Sequence, residues 1–229
     1  MPRSDWNKPD EVLRLFQAVG RASLLYDIQD SHSGNMALKV RGEGGRELIA
    51  VTSTGCQKGD LEAGNICFLP VTETDFGYYK ASSEADIHAR ILSLEGAGAS
   101  MHAHAKDLVV ATLDDAPKPG TPRPFQPLDP LGFHHLGREI PVDWVEVPSG
   151  SKEMADKVFS RLSRGPASVV QAHGVFTRGR TLPEAFFHAC LANNSGYVVR
   201  LLERLKVDVE ALRRRVLADP GGGSARGRT

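Results

Sequence analysis

The sequence predicts an α/β protein in which helices cover a sheet that is at least partly antiparallel. Three observations lead there. Apolar residues recur at helical spacing in some segments and at alternate positions in others, and the two kinds intermix from about Pro9 to Leu217. Two strand-like stretches flank a glycine-rich turn at Gly42 to Gly45, which makes an antiparallel hairpin. The chain has 229 residues, 41% hydrophobic and 24% charged, enough for one large core. The domain is expected to span residues 1–218. Residues 219–229 follow as a flexible Gly- and Arg-containing tail.

The elements follow in order. Asp10 to Tyr26 reads as a helix, with Val12, Leu15, Phe16 and Val19 on one face. Met36, Leu38 and Val40 alternate with Lys39 and Arg41 as a half-buried strand, and Glu47 to Thr52 returns beside it. Asn65 to Leu69 is a further apolar run. Ser83 reads as an N-cap with Asp86 as its capping-box partner, opening a helix through Ile87, Ile91 and Leu94. Ala99 to His104 is a strand and Asp107 to Leu113 a helix. Pro117 to Pro130 is proline-rich and aperiodic, a surface loop long enough to serve as a lid or subunit contact. Val142 to Val147 is a strand and Ser151 to Ser163 a helix. Ser168 to Gln171 and Val175 to Thr177 are strands broken at His173-Gly174. Thr181-Leu182-Pro183-Glu184 is a helix start, and that helix should run to about Leu205.

Composition also narrows function. Lys+Arg and Asp+Glu both total 28, so no global basic field draws nucleic acid or anionic membrane. No apolar run approaches a membrane span. Met1 to Pro9 is polar and carries no apolar leader region, which predicts a cytoplasmic protein. The odd set Cys56, Cys67 and Cys190 has no CxxC spacing and reads as small core hydrophobes.

The eight histidines carry the chemistry. His102 and His104 lie two apart on a strand, so both imidazoles share one face and could hold one divalent metal. Alone, such a pair can equally face solvent. His173, at the bend between two strands, is the candidate third ligand. His134-His135 is a rival pair, but neighbours on a strand face opposite ways. His88 and His188 read as structural or surface residues. Glu84, in a first helical turn, is either a carboxylate favoured by the helix dipole or a general acid/base beside the metal. Ser33-Gly34-Asn35, Ser53-Thr54-Gly55 and Ser82-Ser83 offer NH and hydroxyl donors that suit a phosphate.

In this order, Ser33-Gly34-Asn35, Thr52-Ser53-Thr54-Gly55, Ser82-Ser83-Glu84, His102-Ala103-His104 and His173-Gly174 resemble the class II aldolase/adducin family, as does the helix after Gly179 to Ala185. The likeness runs from about Leu13 to Leu205. It implies a three-layer α/β/α fold with a mainly antiparallel central sheet, assembled as homotetramers with interfacial active sites. His102, His104 and His173 would bind Zn²⁺, although Mn²⁺, Fe²⁺ or Co²⁺ suit similar sites. Glu84 would be the acid/base. Asn35, Thr54, Gly55, Ser82 and Ser83 would cradle the substrate phosphate. The implied reaction is cleavage of a ketose 1-phosphate to dihydroxyacetone phosphate and an aldehyde.

The family holds other chemistries. Its 4-epimerases carry Asp where this chain has Glu84. Its adducin-type binding modules lack the metal histidines. Ser53 to Gly59 is similar to methylthioribulose-phosphate dehydratases, the main alternative beside a decarboxylase. Two departures stand out. His32 replaces a small hydroxyl residue near the phosphate. The tyrosine that follows the HxH strand in fuculose-phosphate enzymes has no counterpart, and Phe133, His134 and His135 occupy its region. One of those histidines would then be the substitute proton donor.

Overall fold

A computed structural model describes residues 9–71, 80–113 and 122–218. Helix α1 spans Pro9–Leu25, followed by strands β1 (Asn35–Arg41), β2 (Glu47–Thr52) and β3 (Ile66–Pro70). Helix α2 (Ala85–Leu92), strand β4 (Ala99–Ala103) and helices α3 (Lys106–Ala111) and α4 (Pro130–Leu136) come next. Strand β5 (Val142–Asp143), helix α5 (Lys152–Leu162), strands β6 (Ala167–Val170) and β7 (Gly174–Gly179), and helices α6 (Leu182–Arg204) and α7 (Val209–Ala218) complete the order. The seven strands form one sheet in the order β3-β2-β1-β4-β7-β6-β5. Every pairing is antiparallel except β5 with β6.

Strand alternation explains the layers. Met36, Leu38, Met101, Ala103, Val169 and Val175 join the core formed with α1 and α6, which includes Phe16, Leu182 and Ala189. Their sequence neighbours point the other way. Ala37 packs with Ala85 and Leu92 of α2, and Val170 and Phe176 pack with Ile87, Met154 and Val158 of α2 and α5. Helices therefore cover both faces of the sheet, as expected from the sequence. Each fully buried Leu, Ile, Val, Phe or Met side chain contributes about 1.5–3 kcal/mol. β1 departs from its half-buried reading: Ala37 is buried by α2, and only Lys39 and Arg41 open outward.

Local signals account for several helix starts. Ser151 Oγ accepts from Met154 N (3.1 Å) and Thr181 Oγ1 from Glu184 N (3.3 Å). Such caps contribute about 1 kcal/mol each. The Ser83 cap reading does not hold. α2 starts at Ala85, with Glu84 at the cap position and no side-chain cap bond. Ser82 Oγ instead accepts from Glu84 N (3.2 Å), because the Glu84 carboxylate is directed elsewhere.

Other departures have equally local causes. Helix α4 emerges at the end of the proline-rich stretch, with Asp129 accepting from Gly132 N (2.8 Å) and Pro130 in the first turn. The earlier part of that stretch, 117–121, lies outside the described residues. The strand expected over 142–147 ends at Asp143, whose carboxylate is held by Arg161 through two 2.8 Å bonds. A short edge strand resists pairing with another chain. Helix α7 follows Leu205, where the sequence pattern predicts no element. The tail at 219–229 lies outside the described residues. Among the described residues no helix is long and apolar enough to cross a membrane.

Candidate metal centre and proton-transfer site

The antiparallel pairing brings the start of β1, the ends of β2 and β4, and the start of β7 to one end of the sheet. Asn35 stands opposite His102 in the β1–β4 register, and His102 opposite Phe176 in β4–β7. His104 lies just past β4 and His173 just before β7, so all three expected ligands converge. Their candidate ligand atoms lie within 4.8 Å of one another. The His102 and His173 rings stack at 4.6 Å between centroids, and His104 sits 5.0 Å from each. Phe176 also stacks on His102, at 4.1 Å between centroids.

Two backbone features permit this convergence. His173 N donates to Val170 O (3.1 Å), closing a tight turn in which Ala172 takes a left-handed φ of 61°. A left-handed non-glycine residue costs roughly 1–2 kcal/mol. Gly174 lets β7 approach β4: a Cβ there would lie 2.4 Å from Ala103 O and 2.8 Å from His102 Cε1.

The protonation pattern fits a metal. His102 Nδ1 donates to the Val175 carbonyl (3.1 Å), leaving the lone pair on Nε2. That Nε2 is buried and has no hydrogen-bond partner. Burial pushes His102 down to about 3 and also lowers His104, so both rings are neutral near neutral pH. A neutral, buried ring nitrogen beside two other imidazoles matches the donor set of a divalent cation, with the second ring nitrogen fixed by a carbonyl.

Glu84 completes the cluster. Its Oε1 lies 3.1 Å from His173 Nε2 and its Oε2 3.7 Å from His102 Nε2. Asn35 Nδ2 donates to Glu84 Oε2 (2.6 Å) and to Ser82 Oγ (2.8 Å). Burial alone would raise the Glu84 carboxyl. Against burial, a positive charge on His102 when that ring is protonated in acid, and hydrogen bonds from His173 and Asn35, hold it well below the usual carboxylate range. The result is an ionised carboxylate, 3% exposed, touching a candidate metal ligand.

The phosphate-type clusters gather on the same side. Ser53 bridges Ala81, Thr54 N donates to Lys80 O (3.1 Å), and Ser82 N donates to Thr52 O (3.1 Å). This sets the Thr54-Gly55 turn, with Gly55 at φ 65°, beside Ser82-Ser83. Thr54, Gly55 and Ser83 are exposed, whereas Ser82 and Asn35 are buried and engaged with Glu84. Lys58, which the sequence reading did not single out, is buried. Its ammonium donates to the carbonyls of His32 and Cys56, both at 2.8 Å, tying the two loops together.

The remaining histidines divide. His32 is exposed beside Ser31 Oγ (2.7 Å). His134 and His135 sit on an exposed face of α4, a helix and not a strand, and His135 contacts Phe187. His188 Nδ1 donates to Arg178 O (2.8 Å), a structural contact. His88 is fully buried and reaches Asn35, so it belongs to the Glu84 surroundings. The readable signal was its position four residues after Glu84 on one helix face.

Comparison with known proteins follows the same lines. The sequence model of the Class II Aldolase and Adducin N-terminal domain matches residues 14–197. A methylthioribulose-1-phosphate dehydratase from Bradyrhizobium sp. is 27% identical over 183 residues, covering 74% of this chain and 81% of that protein. The crystal structure of L-fuculose-1-phosphate aldolase from Thermus thermophilus is similar with a TM-score of 0.71 and 26% identity, over 85% of this chain and 94% of that one. A sugar-phosphate aldolase from Thermotoga maritima shares the fold with a TM-score of 0.69 at 19% identity, over 86% and 96% of the two chains.

Proposed function

The chain belongs to the class II aldolase and adducin family, and from that premise we propose that it is a metal-dependent aldehyde-lyase. The substrate is a ketose 1-phosphate and the products are dihydroxyacetone phosphate and an aldehyde. The observation that carries this reading is the ionised Glu84 carboxylate 3.1 Å from His173, one of three converging imidazoles. A divalent cation held by His102, His104 and His173, with Zn²⁺ the choice from three-histidine ligation, supplies Lewis-acid polarisation of the substrate carbonyl.

This chain's residues do the rest. As the C3–C4 bond breaks, the C4 hydroxyl gives up its proton to become the aldehyde and the electron pair passes to C3; Glu84, ionised at rest, takes up a proton in the course of cleavage and passes it to C3. In the reverse direction Glu84 removes it. Asn35 fixes the carboxylate through its hydrogen bond, joined by His173 Nε2 while no metal is bound, so its aim is set before substrate arrives. The Thr54 hydroxyl and the exposed Gly55 and Ser83 offer donors to the phosphate, with Ser82 and Asn35 beneath them.

The reading extends to assembly as a homotetramer in the cytoplasm with interfacial sites. Exposed Leu25 and Tyr26, at 85% and 67%, support a partner surface.

The Bradyrhizobium relative favours a second reading, dehydration of a pentulose 1-phosphate at the same site. One assay separates the two. Metal-replete protein is offered fuculose, rhamnulose, ribulose and 5-deoxyribulose 1-phosphates and methylthioribulose 1-phosphate. Chelator-sensitive release of dihydroxyacetone phosphate supports the lyase. Loss of water from the last substrate, without release from any, replaces it with the dehydratase.

A further inference from the structure

A buried polar chain runs from Glu84 away from the metal site. Asn35 Nδ2 reaches Glu84 Oε2 and Ser82 Oγ, Asn35 Oδ1 meets His88 Nε2 at 2.5 Å, and His88 Nδ1 meets Ser100 Oγ at 2.6 Å. His88 and Ser100 are completely buried, and Asn35 is nearly so. They come from three elements, β1, α2 and β4.

The chemistry of the groups fixes every proton along the chain. An ionised carboxylate only accepts, so the Asn35 NH₂ must face Glu84 and its carbonyl oxygen must face His88. That oxygen also only accepts, so His88 carries its proton on Nε2. Its Nδ1 is then an acceptor, and Ser100 donates to it. Burial pushes His88 down to about 4, so a neutral ring with a single proton is the form present near neutral pH. Both amide protons and all three hydrogen-bonding groups of the relay have partners.

We propose that His88 is a positioning residue for Glu84, its Nε2–H holding the Asn35 carboxamide in the one orientation that donates to the acid/base. This rests on the proton-transfer role given to Glu84 above. Without that donor the carboxamide oxygen is left buried with no partner. The carboxylate still draws the NH₂, but with its oxygen unheld the carboxamide can tilt and shift, and Glu84 would lose its fixed aim. Residues that orient a site from behind typically alter activity about 10–100-fold when changed.

Two substitutions separate positioning from packing. The side-chain nitrogen of Gln in His88→Gln can take the place of Nε2 and donate to Asn35. The shorter amide in His88→Asn reaches only toward Ser100. The expected result is that His88→Gln keeps turnover within about threefold, while His88→Asn loses about tenfold or more. In both, KM and bound metal stay at wild-type values. Equal losses in the two variants, tracking equal drops in Tm, would make His88 a packing residue and overturn the proposal.

The second measurement needs neither activity nor metal. Nitrogen-15 spectra of labelled, metal-free wild-type protein at neutral pH report which ring nitrogen of His88 is protonated, the signal being identified by its loss in His88→Gln. A proton on Nε2 supports the relay, and a proton on Nδ1 overturns it. If wild-type holoenzyme cleaves none of the ketose phosphates, the lyase reading fails while this spectrum still decides the relay.

Discussion

His102 Nε2 and Glu84 Oε2 face each other across 3.7 Å, both buried. The ring proton of His102 is committed to the Val175 carbonyl, so its Nε2 presents a lone pair to the carboxylate. Two buried acceptors that close repel each other unless positive charge sits beside them. The cluster's donor set therefore suits a cation, and any cation bound there links binding to stability.

That linkage has a direct outcome. A divalent cation at a hundredfold excess over its Kd should add about 2.7 kcal/mol of stability. Scanning calorimetry should show Tm rising with Zn²⁺ in the wild type and not in His102→Ala. An equal rise in both would place the metal elsewhere.

Glu84→Gln keeps the shape of the side chain and removes its ability to take up a proton. Turnover should fall by about 10²–10⁴, while metal content measured by atomic absorption stays at the wild-type level. Retained turnover would remove Glu84 from the chemistry.

Gly174→Ala places a methyl group against Ala103 O and His102 Cε1. Overpacking of this kind costs about 1–3 kcal/mol, readable by urea unfolding, and calorimetric titration should show weaker metal binding. Gly165→Ala meets nothing within 4 Å and serves as the control, with metal affinity unchanged.

Stability should also fall with acid through His88. Burial lowers its pKa from 6.5 to about 4, so below pH 6.5 the unfolded chain binds a proton that the folded chain refuses. The contribution is fully present above about pH 6.5, is lost as pH falls to about 4, and amounts to something on the order of 3 kcal/mol. Urea unfolding of metal-free protein across that window should give a shallower slope for His88→Gln than for the wild type. Identical slopes would contradict the assignment.

Much of this site was legible in the sequence. Strand alternation placed His102 and His104 together, and the apolar runs on either side of His173 marked a bend. What escaped notice depends on packing across elements. Asn35 reads as a turn donor, yet its β1 register opposite His102 carries it under Glu84. His88 reads only as a structural or surface residue of a helix, because its role requires α2 to lie on β1 and β4. Ser83 looked like a cap because hydroxyls usually cap, but the Glu84 carboxylate is drawn into the site and Ser82 bonds Glu84 N. Helix α4 was hidden by prolines, although Asp129-Pro130 is itself a helix start.

The central claim, proton transfer by Glu84 at the carbon next to a carbonyl, can be tested without knowing the aldehyde. Dihydroxyacetone phosphate alone is incubated with Zn²⁺-loaded protein in D₂O and followed by proton NMR. The expected result is stereospecific exchange of one hydrogen on the hydroxymethyl carbon, abolished by chelator and by Glu84→Gln. No exchange by protein that holds its metal would contradict it, and would turn attention to dehydration.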